Sequence, residues 1–227
     1  MPRLFVYRIV KDLGTAPHIS EGHLTLTICK PKIRKSAKDG DYVLALMAQS
    51  NNAMKTLKKS KVVSNNNKHF QAAYLFRVGE VVPLERYDEW CATHAPSKLC
   101  TAEHFDGNAQ YNKTLKWRPG PHGPGERNRN LSGCNSITST HFAAWKSSTP
   151  HRLTTEELAG LGLTEEEVSK IGIGHKIVDM PNTEMADHLI ASKKSPPRNN
   201  KNKTAKNNGP RGAGAEPPKG REGYTIF

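Results

Sequence analysis

Two strand-like stretches, residues 4–10 and 24–28, are separated by a turn segment carrying Asp12, Gly14, Ala16 and Pro17. Glycine adopts backbone angles that other residues avoid and proline fixes its own φ, so the chain must reverse here. The second stretch, Leu24-Thr25-Leu26-Thr27-Ile28, alternates larger apolar residues with β-branched ones, as strands do, and delivers Cys29, Lys30 and Arg34 to its far end. Lys30, Lys32, Arg34, Lys35 and Lys38 fall within nine residues, opposed only by Asp39 before the turn Asp39-Gly40-Asp41. Such a rim is either a phosphate seat or a solvated basic loop.

The middle of the chain supplies groups that suit a base pocket. Asp106, Asn108 and Tyr111 fall in a loop-like stretch; Asn and Asp hydrogen-bond base edges or ribose, and Tyr stacks on a base. The Pro- and Gly-rich run 119–125, followed by Arg127 and Arg129, reads as a basic mobile loop that either closes over a ligand or links two strands. Residues 135–145 read as one strand ending in His141-Phe142-Ala143-Ala144-Trp145. Cys91-x2-His94 and Cys100-x3-His104 supply the ligand types of a structural zinc site, but only five residues separate the pairs. Packed thiols and surface histidines are the preferred reading. Cys29 lies beside Lys30 and near Arg34, and neighbouring cations lower a thiol pKa, so it is either a nucleophile or a half-buried packing residue.

Composition divides the chain. An apolar fraction of 35% and a mean hydropathy of -0.68 over 227 residues imply that part of it does not join a core. Residues 193–227 hold nine Lys or Arg against Glu216 and Glu222, a net charge of 9 − 2 = +7 out of the total +13. With almost nothing apolar to bury, this segment reads as a disordered basic tail that neutralises phosphates without reading sequence. The expected organisation is one α+β domain over residues 1–192 followed by that tail. Within the domain, Thr154-x-x-Glu157 and Thr164-x-x-Glu167 are capping-box signatures of two helices, residues 176–179 read as a strand, and Asn182-Thr183-Glu184 opens a last helix. No apolar run approaches the roughly 18 residues that span a bilayer, and the N-terminus enters a strand, so an intracellular protein, cytoplasmic or nuclear, with unpaired cysteines is expected.

The spacing Tyr7, Asp12, Gly14, Ala16-Pro17, Gly22, Leu26, Cys29-Lys30-Pro31, Ile33-Arg34, Ala37 and Gly40-Asp41-Tyr42-Val43 resembles the opening of the nucleotide modification associated domain, second type. Residues 81–90, Asp106-Gly107-Asn108 with Tyr111, and His141-Phe142-Ala143-Ala144-Trp145 follow in order. A further similarity is to PUA-like domains of the EVE and ASCH kind, through the Gly-Asp turn and the segment Val78-Gly79-Glu80-Val81. Tyr42 stands where Trp is common after Gly-Asp, and residues from Leu153 onward have no counterpart in the resemblance. The resemblance implies a mixed, partly barrel-like, PUA-like β-sheet with flanking short helices. It also implies nucleic acid or a nucleotide as partner, with DNA-modifying enzymes as further partners.

Nucleotide-binding candidates are Asp12, Gly14, Ala16, Pro17, Cys29, Lys30, Pro31, Arg34, Tyr42, Asp106, Asn108, Tyr111 and Trp145. Two functions fit. A binding module would hold a modified base against Tyr42 or Tyr111 with phosphate on Lys30 and Arg34. An enzyme acting on modified bases would use Asp12, Asp41 or Asp106 as general base, with Cys29 or His141 as partner. Scattered single carboxylates and the lack of phosphate-loop, dinucleotide or Gly-x-Ser-x-Gly motifs favour the first, with no cofactor expected.

Overall fold

A computed structural model describes residues 1–9, 14, 16–48, 70–99, 124–145, 150–172 and 174–193. The strands in chain order are β1 (Arg3–Ile9), β2 (His18–Ser20), β3 (His23–Leu26), β4 (Tyr42–Met47), β5 (Gln71–Arg77), β6 (Glu80–Pro83), β7 (Asn135–Ser139), β8 (Phe142–Ala144), β9 (His151–Arg152) and β10 (His175–Asp179). The helices are α1 (Pro31–Ser36), α2 (Tyr87–His94), α3 (Arg127–Leu131), α4 (Thr155–Gly160), α5 (Glu165–Ser169) and α6 (Glu184–Ser192).

The strands form two sheets. The first runs β10-β1-β4-β5-β8, with β9 also on β5, and the second runs β2-β3-β7-β6. Among the described residues only β1 and β4 pair in parallel, and every other ladder is antiparallel. The fold is therefore mixed α+β, but neither sheet closes on itself, so the barrel-like expectation gives way, among the described residues, to two open sheets.

Strand alternation makes the layers. Leu4 and Val6 of β1 and Tyr42, Leu44 and Leu46 of β4 face the C-terminal helices, whereas Phe5, Tyr7, Val43 and Ala45 face the second sheet. From that sheet, Leu24, Leu26 and Ile137 meet them, with Ile33 of α1 in the same cluster. Each such fully buried side chain contributes about 2 kcal/mol. On the other side, Leu158, Leu161, Val168, Leu189 and Ile190 complete the helix-side core. Both capping boxes form: Thr154 and Thr164 accept from the Glu157 and Glu167 amides, whose carboxylates accept in return. Arg8 donates to the carbonyls of Val168 (2.9 Å) and Ile171 (2.8 Å), holding the end of α5 to β1.

Several local expectations shift. Arg127–Leu131 is helical instead of a loop, and residues 135–145 make two strands, β7 and β8, that join different sheets. The basic run after Cys29 enters α1, because Pro31 suits the first helical turn, where its missing N–H has no partner to lose. Among the described residues, no helix is long and apolar enough to cross a membrane.

Candidate functional site

The outer face of the second sheet breaks the usual packing rule. A sheet face covered by a helix is normally apolar; here Thr25, Thr27, Ser136 and Thr138 project from it, each no more than 3% exposed. Above them α2 contributes Tyr87, Trp90 and Cys91, which cluster with Val82 and Ala95. The hydroxyls are bonded to one another and to the cover. Thr27 Oγ1 and Ser136 Oγ lie 2.7 Å apart, and the Tyr87 hydroxyl donates to Thr25 Oγ1 at 3.2 Å. Burial holds the Tyr87 phenol well above its usual pKa, so it remains a donor.

Lys98 is the most unusual member. Its side chain is wholly buried, and Nζ reaches His18 Nδ1 (2.9 Å), the His18 carbonyl (3.2 Å) and Thr25 Oγ1 (3.2 Å). An ammonium only donates, so Nδ1 accepts and the imidazole proton sits on Nε2. Burial first, and the Lys98 charge second, lower the His18 pKa to about 3. His18 is thus neutral at physiological pH. Taking an ammonium out of water is costly unless acceptors surround it, and the neutral imidazole, the carbonyl and the threonine supply them.

Beside this layer, where β6 meets α2, lies a cleft of about 310 Å³. Its walls include Glu80, Val82, Arg86, Trp90, Thr93 and His94. The Trp90 ring stacks on His94 (4.9 Å between centroids, 15° between planes) and on Tyr87 (5.9 Å, 9°), while its indole N–H donates to Glu80 Oε2 at 2.7 Å. A cavity of this size with an aromatic wall and a few fixed polar groups matches the smaller ligand sites of proteins.

At the foot of β3 the chain makes a strained shoulder. Cys29 (φ 60°) and Lys30 (φ 38°) are consecutive non-glycine residues in the left-handed region, a conformation that costs on the order of 1–3 kcal/mol each. Three groups hold it. Asn130 Oδ1 accepts from the Cys29 amide (3.0 Å), Arg34 Nε donates to the Cys29 carbonyl (2.8 Å), and Lys30 Nζ donates to the Arg8 carbonyl (3.1 Å). The Lys30 ammonium also sits 4.6 Å above the Tyr7 ring, and burial lowers its pKa.

The candidates from the sequence scatter. Arg34 is not at the rim but fully buried, its guanidinium donating to the carbonyls of Cys29, Asn130 and Asn135. At Cys29, read as either a nucleophile or a half-buried packing residue, burial, aided by Glu126, raises the thiol pKa more than Lys30, Arg34 and Arg129 lower it. Pro31 starts α1, Gly14 has a positive φ of 69°, Ala16 packs against the inter-sheet core and Pro17 is buried. Asp41 binds Arg3 (2.6 Å) and the Lys38 amide (2.9 Å), closing the turn before β4. Tyr42 and Trp145 belong to the helix-side core; Trp145 stacks on His151 at 5.1 Å. His141 lies 3.3 Å from Asp187. Cys91 is buried beneath α2 with His94 against Trp90. Asp12, Cys100, His104, Asp106, Asn108, Tyr111 and residues 194–227 lie outside the described residues.

Sequence reasoning missed His18, Lys98, Tyr87, Asn130 and the four hydroxyl residues. The signal for the hydroxyls was present in Leu24-Thr25-Leu26-Thr27 and Ser136-Ile137-Thr138, but such alternation ordinarily marks a solvent face.

Two open sheets with a polar layer sealed beneath a helix, and an aromatic cleft at its edge, define a mixed α+β domain. The chain belongs to the family of nucleotide modification associated domain 2, whose model matches residues 1–187. The match includes α4, α5 and the start of α6, in the stretch after Leu153 for which the resemblance offered no counterpart. No curated protein and no solved structure matches the chain.

Proposed function

We propose that this protein binds nucleic acid or a nucleotide and recognises a modified base in the cleft between β6 and α2, on a sheet face as a PUA-like domain would. Family membership supplies the nucleotide context. The observation that carries the reading is the cleft itself, where His94 stacks on Trp90 and the indole N–H fixes the Glu80 carboxylate. In this reading the exposed His94 ring, backed by Trp90, offers aromatic surface to the base. Glu80 and Arg86 read its polar edge, and Lys30 and Arg129 meet the phosphates. The tail, residues 193–227, adds contacts independent of sequence through its net charge of +7. An enzyme that processes modified bases is the alternative reading, favoured only by the contact of His141 with Asp187.

The test offers the full chain, Arg86→Gln and a chain lacking residues 193–227 a panel of modified and plain nucleotides and oligonucleotides, reading both affinity and product mass. Arg86→Gln is expected to alter the ratio of affinities for modified and plain bases, and the truncation to lower all affinities alike. Equal losses on every ligand from both changes would reject a base-reading cleft. A change in base mass would establish the enzyme reading instead.

A further inference from the structure

Across the first sheet from the cleft, Tyr42, Arg77 and His141 form one row over three adjacent strands. Tyr42 stands opposite Arg77 in the β4–β5 register. The β5–β8 register continues past Phe76 and Phe142, with the Arg77 amide donating to the His141 carbonyl at 3.0 Å. Residues opposite one another in antiparallel strands project to the same face with Cβ atoms about 5 Å apart. That face is the one Tyr42 and Leu75 turn toward the helices.

Asp187 of α6 completes the row. Its Oδ1 accepts from the Tyr42 hydroxyl (2.7 Å) and lies 3.3 Å from His141 Nε2, while Oδ2 accepts from Thr183 Oγ1 (3.2 Å). A carboxylate held by three groups fixes the imidazole to which it is bonded, as a base is fixed by its orienting acid. Burial, and then the bond to Asp187, push the Tyr42 phenol up to about 12, so it stays a donor to the carboxylate. The His141 side chain is 50% exposed, and among the described residues its Nδ1 makes no hydrogen bond. Arg77 is exposed, and among the described residues its guanidinium makes no hydrogen bond or ion pair. Neutral donors and the imidazole take the Asp187 carboxylate, and the Arg77 cation is left facing solvent.

We propose that this row is a phosphate-ester hydrolysis site, in which Arg77 holds the phosphate, His141 is the general base, and Asp187 with Tyr42 positions the imidazole. His141 Nδ1 takes a proton from water as the water oxygen bonds to phosphorus. The ester P–O bond breaks, and the imidazolium returns the proton to the leaving oxygen. A guanidinium beside the phosphoryl oxygens stabilises the charge that develops on them.

The proposal stands apart from the cleft and is tested separately. The full chain is incubated with p-nitrophenyl phosphate and with bis(p-nitrophenyl) phosphate, and nitrophenolate release is followed across a range of pH. Turnover of either ester is expected, falling at least about a hundredfold in His141→Gln, the scale of a lost general base. Its pH–rate profile should lose the acid limb seen in the parent. Arg77→Gln, a change at an exposed side chain, should raise KM. Asp187→Asn should lower kcat about tenfold with the fold intact by circular dichroism, and Asp187→Glu should recover part of it. Absence of turnover by the parent chain, or equal rates in the parent and His141→Gln, would overturn the proposal.

Discussion

Acid should destabilise this protein through one histidine. His18 is held neutral by burial and by the Lys98 ammonium, with its pKa lowered to about 3 from 6.5. In the unfolded chain both influences vanish, so between those two values the unfolded state binds one more proton than the folded state. Stability therefore rises with pH through that window: the contribution is fully present above about pH 6.5 and is lost progressively as pH falls toward 3. The slope attributable to this group is about 1.4 kcal/mol per pH unit. Urea unfolding followed by tryptophan fluorescence at pH 5.5 and 4.5 measures it, and comparison with His18→Gln removes the carboxylate contributions the two proteins share. Glutamine retains a carbonyl that accepts from Lys98 but does not titrate. The parent should lose about 1.4 kcal/mol more than the variant over that unit. Equal losses would refute the buried, uncharged His18 and with it the polar layer as described.

Other expectations follow from single contacts. A methyl group at Gly133 would overlap the Arg34 guanidinium, the Cβ position lying 2.7 Å from Nη1, so Gly133→Ala should destabilise by about 2 kcal/mol in chemical unfolding. Thr154→Ala removes one half of a capping box and should cost about 1 kcal/mol in the same assay. Deleting residues 193–227, with their net charge of +7, should flatten the dependence of log Kd on log salt for duplex DNA by up to about six units of slope. An unchanged slope would remove the tail from the interface.

What could be read in the sequence was whatever local chemistry decides. The Thr-x-x-Glu pairs became capping boxes because the bonds they need lie within one turn. The alternation read over residues 24–28 became β3, His23–Leu26, because period two is a property of the strand itself. What could not be read depended on which element covers which. Thr25 and Thr27 carry the pattern of a wet face, yet α2 lies over them and the Lys98 ammonium is buried with them. Arg34 is charged and sits in a basic run, yet the turn of α1 carries it inward to three carbonyls supplied in part by residues a hundred positions away. Tyr42 and His141 were separate candidates, and only the docking of α6 brings Asp187 between them.

The most direct examination of the polar-layer account is a backbone and side-chain NMR titration of the full chain with modified and plain nucleoside monophosphates. The account predicts shifts at Glu80, Arg86, Trp90 and His94, transmitted to Tyr87 and Lys98, and larger for the modified ligand. Shifts confined to the opposite face, around Arg77 and His141, or their absence at every concentration, would contradict it.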